Sequence, residues 1–219
     1  SGTCGADGEN LTWVLTEDGA LTISGEGKMM NYSDSSVAPW YSNRTKILSV
    51  VAEDGVKSIG DYAFYKTGIS DTLILPDSVT SIGDSSFAKC TDLRNVTISN
   101  NLKTITKNAF SGCENLKKIT IPKNVETIGQ ACFTKNINLE TIEFEDSTNL
   151  LNIEKNAFLS CTSLTSLSLT GRPFIIGDSS FYGCTSLSTL TVGEGVSSIG
   201  TSAFSGDPID SITFDESFN

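Results

Sequence analysis

A phenylalanine returns along this chain at nearly constant intervals: Phe64, Phe87, Phe110, Phe133, Phe158, Phe181 and Phe204 are separated by 23, 23, 23, 25, 23 and 23 residues. Five positions before each stands an isoleucine: Ile59, Ile82, Ile105, Ile128, Ile153, Ile176 and Ile199. Two columns in one register define a structural repeat, and a fixed period of a few tens of residues is the mark of stacked units. A unit this short cannot enclose its own apolar side chains, so neighbours must stack and share one interior.

Further columns fill in the unit. Eight residues before the phenylalanines lie Val56, Val79, Leu102, Val125, Leu150 and Val196; Pro173 is the exception, with Phe174 beside it to fill the gap. Alternating apolar pairs come earlier in each unit: Val50 and Ala52, Leu73 and Leu75, Val96 and Ile98, Ile119 and Ile121, Ile142 and Phe144, Leu167 and Leu169, Leu190 and Val192, and finally Ile212 and Phe214. A spacing of two places both members on one side of a strand, which predicts eight strands and a parallel sheet about 35 Å long. Phe and Cys three apart, as in Phe87 and Cys90 or Phe110 and Cys113, predict a short helical or 3₁₀ turn with both side chains inward. Gly60, Gly83, Gly129, Gly177 and Gly200 follow the isoleucines, where a sharp bend is expected. The unit reads as strand, bend, helical turn and return. The fold class is an α/β solenoid, a right-handed superhelix of repeats about 23 residues long with a parallel sheet on one face and helical turns on the other.

Residues 1–45 lack the columns and read as an N-terminal cap, with residues 46–219 as the solenoid. Trp13-Val14-Leu15 and Leu21-Thr22-Ile23, joined through Glu17-Asp18-Gly19, predict a β-hairpin. Trp13 and Trp40 are expected to cover the exposed end of the core, the alternative being an exposed aromatic platform for sugars. At the other end, either Phe218 folds over the last rung or the natural chain continues past Asn219. Ser1 in place of methionine points either to a processed N terminus or to a recombinant chain from which any secretion signal has been removed, so the absence of a signal here decides nothing.

Composition removes several functions. A net charge of −11 and a pI near 4.4 repel nucleic acid and anionic membranes, and no apolar stretch is long enough to cross a bilayer. Histidine is absent, which excludes Ser–His–Asp and Cys–His nucleophiles. Of the six cysteines, Cys90, Cys113, Cys161 and Cys184 occupy one repeat column, so the cysteines read as small, free core residues, without Cys-x-x-Cys spacing for zinc or redox chemistry. No catalytic residue, metal site or cofactor is expected. The acidic cluster Glu143, Glu145 and Asp146 reads as a solvated patch, with a glycosidase built on Glu143 and Glu145 as the remote alternative.

The outward side of the strands carries the candidate site. Val51, Ile74, Thr97, Thr120, Glu143, Ser168, Thr191 and Thr213 lie one per rung, flanked by Thr141, Ser166 and Thr189. A regular array of hydroxyls can hydrogen-bond a glycan or an extended peptide, although threonine and serine also simply suit a solvated strand. The candidate ligand-binding residues are therefore Thr97, Thr120, Thr141, Glu143, Ser166, Ser168, Thr189, Thr191 and Thr213.

The consensus I-P-x-x-V-x-x-I-G-x-x-A-F-x-x-C-x-x-L-x-x-L, seen from Ile121 through Pro122, Val125, Ile128, Gly129 and Phe133, resembles the BspA-like, or Treponema-type, leucine-rich repeats of bacterial and protozoan surface proteins. The resemblance covers residues 46 to 219, and the segment from Thr3 to Tyr41 resembles the N-terminal region attached to such repeats in bacteria. It implies a secreted or surface-exposed protein used for adhesion or host contact, without common catalytic residues, and supplies no ligand; the partner expected is an extracellular protein or glycan. A monomer is expected, and a spacer within a longer surface protein is the alternative. Asn136 departs from the repeat cysteine, Cys132 takes the usual alanine position, and the fifth interval gains two residues near Glu145 to Asn149.

Overall fold

The structure, a computed structural model, describes residues 1–215, so Phe218 lies outside the described part. In chain order the strands are β1 (Gly2–Gly5), β2 (Gly8–Leu15), β3 (Ala20–Gly25), β4 (Gly27–Lys28), β5 (Ser49–Ala52), β6 (Val56–Ile59), β7 (Thr72–Ile74), β8 (Ser81–Ile82), β9 (Asn95–Thr97) and β10 (Thr104–Ile105). They continue as β11 (Lys118–Ile121), β12 (Thr127–Ile128), β13 (Thr141–Phe144), β14 (Leu151–Ile153), β15 (Ser166–Leu169), β16 (Phe174–Ile176), β17 (Thr189–Gly193), β18 (Val196–Ile199) and β19 (Ser211–Asp215). The one helix among the described residues is the 3₁₀ segment Tyr41–Lys46, between the cap and the first coil.

The odd-numbered strands from β5 to β19 are the eight expected from the alternating pairs, and they stack in parallel, equivalent residue on equivalent residue: Leu73↔Val96, Ile119↔Ile142, Leu167↔Leu190↔Ile212. The predicted hairpin is β2 and β3, antiparallel with Leu15 opposite Leu21, and β3 then pairs in parallel with β5. The cap thus extends the repeat sheet.

A second parallel ladder runs where the sequence suggested only a bend. The even-numbered strands from β6 to β18 carry the isoleucine column, with Ile105↔Ile128↔Ile153↔Ile176 in register. The glycines after these isoleucines are needed for close approach rather than for a special backbone angle. A Cβ on Gly177 would stand 2.6 Å from the Ile153 carbonyl oxygen, and one on Gly129 2.7 Å from the Lys107 amide nitrogen. The column eight before phenylalanine slips by one in the coil with the two-residue insertion. Leu150 is 43% exposed, while Leu151, opposite Phe174 in the ladder, is buried.

The third side replaces the expected helical turns. Around each phenylalanine, alternate amides point to the next coil: Phe64 N–H donates to the Ser86 carbonyl (2.8 Å), Phe87 to Ala109 (2.9 Å), Phe133 to Ala157 (2.7 Å) and Phe158 to Ser180 (2.7 Å). The intervening amides close tight turns inside the coil, as from Tyr65 to the Tyr62 carbonyl at 3.2 Å. This alternation requires left-handed backbone two residues before and after the phenylalanine, as at Tyr62 and Lys66 (φ 53° and 59°) or Asn108 and Gly112 (φ 55° and 70°). A helix about 10 Å across cannot fit between rungs spaced about 4.8 Å apart, whereas a flat chain of turns can.

The core is a column of rings. Phe64, Phe87, Phe110, Phe133, Phe158, Phe181 and Phe204 stack with successive centroids 5.1–5.6 Å apart and planes within 11°. Trp40 continues the column below Phe64 at 5.5 Å and 17°, fully buried, with its indole N–H donating to the Ala63 carbonyl at 2.8 Å. Its place in the stack rules it out as a sugar platform. Trp13, partly buried, meets it edge-on at 5.7 Å.

Candidate functional site

The nine candidate residues all lie on the outer side of the first ladder, opposite the buried Ile119, Ile142, Leu167 and Leu190. Backbone register gathers them in rows. Ser168, Thr191 and Thr213 face one another across β15, β17 and β19, Ser166 and Thr189 form the adjacent row, and Thr120 lies beside Glu143. Thr97 sits at the end of the row that begins with the exposed apolar Val51 and Ile74. Thr141 is opposite Lys118. The rows form an outward, hydroxyl-rich face from β9 to β19, on which the Thr120 hydroxyl is bonded to Glu143 and the Ser168 hydroxyl to Thr170.

Glu143 is the one charged candidate, and it is engaged. Lys118 Nζ lies 2.7 Å from its Oε1, and the Thr120 hydroxyl donates to its Oε2 at 3.1 Å. The lysine, then the threonine, lower its pKa. A glycosidase acid needs the opposite shift, a raised pKa that keeps its proton near neutrality. Glu145 accepts the Lys123 N–H at 2.9 Å, and Asp146 is turned against Gly171. Among the described residues no group of three acidic or cysteine side chains could hold a metal ion.

The six cysteines are free and buried. Four thiols donate to the carbonyl of the preceding coil's phenylalanine, from Cys90 to Phe64 (3.1 Å), Cys113 to Phe87 (3.3 Å), Cys161 to Phe133 (3.3 Å) and Cys184 to Phe158 (3.5 Å). Burial pushes the Cys90 thiol up to about 11 and the Cys184 thiol to about 12, which suppresses the reactive thiolate. These cysteines are structural.

Two features escaped the sequence reading. Arg172 is fully buried and donates to three backbone carbonyls: Val125 (2.6 Å), Asn149 (3.2 Å) and Pro122 (3.4 Å). It thereby ties the coil with the two-residue insertion to its neighbours, at a desolvation cost that lowers its own pKa. The second feature is a group of tyrosines, Tyr41, Tyr62 and Tyr65, on the turn side next to the cap. Comparing columns could have found it, because Tyr62 and Tyr65 stand where the next coils carry Ser85 and Ala88, then Asn108 and Ser111.

A two-ladder parallel coil with a phenylalanine stack and repeats of this spacing defines a leucine-rich-repeat protein of the short bacterial type. A family model described as BspA type leucine rich repeat region, in six copies, matches residues 39–165 and 151–219. The chain belongs to that family. No curated protein shows significant sequence similarity to it. Among solved structures it resembles a leucine-rich repeat protein from Bacteroides ovatus, at 20% identity over 94% of this chain and 75% of that one, with a TM-score of 0.60. A leucine rich cell surface protein from Faecalibacterium prausnitzii matches at 20% identity, 98% and 77% coverage and a TM-score of 0.55. The leucine rich repeat protein of T. pallidum matches at 21% identity, 96% and 81% coverage and a TM-score of 0.50. At these identities the likeness establishes the shared fold. It is a leucine-rich-repeat fold of BspA type. No helix among the described residues is long and apolar enough to cross a membrane.

Proposed function

We propose that the chain is a non-enzymatic recognition and adhesion module, secreted or displayed at a bacterial surface. Residues 1–45 cap a solenoid formed by residues 46–219, whose coils wind in the right-handed sense that parallel crossovers favour. The observation that carries this reading is the register of the outward hydroxyls: Ser168, Thr191 and Thr213 repeat one chemical group at each rung of a rigid face. A partner that is itself extended, a glycan chain or an unfolded protein segment, matches such a face, and the absence of aromatic and arginine anchors from it suits many weak contacts rather than one tight anchor. The protein acts as a monomer. The surface description of the Faecalibacterium protein and the family membership support the location.

The test is binding of the folded protein to arrays of extracellular-matrix proteins and glycans, repeated with Thr120→Ala, Ser168→Ala and Thr191→Ala combined. Loss of a signal in the triple variant with an unchanged melting curve supports the strand face as the site. Silence of the native protein across both arrays refutes the reading. A scaffold role is the second reading, favoured by the apolar surface of the last described coil, where Ile199, Ile212 and Phe214 are 51%, 56% and 75% exposed.

A further inference from the structure

The turn side next to the cap differs from the strand face in both shape and charge. Tyr62 and Tyr65 contact edge to face, with centroids 5.5 Å apart and an interplanar angle of 68°. In the next two coils the same columns carry Ser85 and Ala88, then Asn108 and Ser111, which leaves a notch of about 220 Å³ between the tyrosine wall, Asp34, Lys89 and Asn108. A smaller hollow of about 60 Å³ on the far side of the wall is bounded by Tyr41 and again by Asp34. The notch falls short of the roughly 300 Å³ at which drug-sized pockets begin, so it suits a single ring of a longer ligand.

Two ammonium groups stand at this wall. Lys66 Nζ lies 5.1 Å and Lys89 Nζ 5.9 Å from the Tyr65 ring centroid. The ion pairs among the described residues are Lys103–Glu126, Lys117–Glu140 and Lys118–Glu143, and neither Lys66 nor Lys89 belongs to one. In a chain with 26 acidic and 15 basic residues, Lys89 lines the notch together with Asp34, and Lys66 adds a second cation at the same ring, so cations outnumber the carboxylate at this place. The place thus offers aromatic surface, cationic charge and hydrogen-bonding groups within one ring's reach.

We infer that this notch binds an acidic sugar, a uronic or sialic acid unit within a glycan. The C–H face of the pyranose lies against Tyr62 and Tyr65, amphipathic rings that offer contact area at little entropic cost. Lys89, which lines the notch, takes the sugar carboxylate, and Lys66 adds its charge from the Tyr65 ring. The Asp34 carboxylate accepts from ring hydroxyls, and the Asn108 amide both donates and accepts. This inference rests on the recognition reading above and sharpens it to a ligand class, at a surface separate from the hydroxyl rows.

The experiment is calorimetric titration of the whole chain with sialyllactose and with trigalacturonic acid, with lactose as the neutral comparison. Tyr65→Ala and Lys89→Gln are each expected to weaken binding about tenfold, while Lys135→Gln, in the lysine column but away from the tyrosines, leaves it unchanged. Lys89 is exposed, so Lys89→Gln carries the test even if Tyr65→Ala disturbs folding. Three outcomes overturn the inference: no binding of either acidic sugar at millimolar concentration, equal binding of lactose, or displacement of the sugar by an oligoglutamate peptide that binds more tightly. Array binding lost in the strand-face triple variant, with no acidic-sugar binding, would overturn this site and leave the recognition function standing.

Discussion

Phe133→Ala tests whether the interior is one shared stack. The Phe133 ring is fully buried between Phe110 at 5.6 Å and Phe158 at 5.1 Å, with interplanar angles of 7° and 4°. Its removal forfeits the transfer free energy of the ring and leaves a cavity that backbone bonds on three sides of the coil keep open, a loss of about 3–5 kcal/mol. Two stacked pairs, each contributing about 0.5–1.5 kcal/mol, place the value toward the top of that range. Phe204 occupies the same column but has one stacked neighbour, at 5.3 Å, and is only partly buried. Phe204→Ala is therefore expected to cost about 1–2 kcal/mol. Urea unfolding of both variants, followed by circular dichroism and by the fluorescence of Trp40 at the far end of the stack, measures the difference. In a quasi-one-dimensional array a central defect also uncouples the two halves, so the slope of the Phe133→Ala transition should fall while that of Phe204→Ala holds. Equal losses from the two substitutions would refute the shared-stack reasoning.

Burial pushes the Asp207 carboxyl up to about 7, its Oδ1 accepting the Cys184 N–H at 2.8 Å. The folded state therefore holds its proton longer than the unfolded one, and stability is greatest below the unfolded value near 4 and is lost as the pH rises through about 7. Asp207→Asn should flatten thermal melts over that window, and an unchanged slope would count against the assignment. Lys135 sits at φ 59° where Gly112, Gly183 and Gly206 occupy the equivalent position, so Lys135→Gly should relieve left-handed strain and stabilise by about 0.5–1 kcal/mol, read as a higher melting temperature. Arg172→Met strands three carbonyls and should cost about 3 kcal/mol in urea unfolding; a neutral result would show that the tie around the insertion is dispensable.

What the sequence disclosed was the set of side chains that enter the core, because each inward position excludes all but a few residue types. The phenylalanine and isoleucine columns, the eight strands of the first ladder and the hairpin through Glu17-Asp18-Gly19 are of that kind. What it concealed lies in the backbone. Phe87 and Cys90 are three apart and face inward as a helical turn would place them, yet the left-handed residues Ser85 and Lys89 route alternate amides to the next coil. Serine and lysine give no sign of this, whereas Gly112 at the same column does. Leu150 and Leu151 are adjacent leucines, and only the register against Phe174 decides which is buried. Arg172 reads as a surface cation until the carbonyls it meets are known. The hydroxyl rows are legible as a surface because they repeat, while the tyrosine wall is not, because it departs from the repeat.

That last omission follows from how a solenoid divides its positions. Ring stacking and three sets of coil-to-coil backbone bonds hold the fold, and all of them use inward side chains or main chain, so an outward residue can change from coil to coil at little cost in stability. Uniform outward columns, such as the threonines and serines of the first ladder, are explained by strand solvation as readily as by binding. An outward column that breaks its own pattern needs a local cause, either packing against a neighbouring segment or a ligand. Tyr62 and Tyr65 replace serine, asparagine, alanine or small hydroxyl residues in the three coils that follow, and they do so beside two lysines without acidic partners. Core packing accounts for part of that change at Tyr62, which leaves Tyr65 and the two lysines at its ring as the part that the proposed ligand explains.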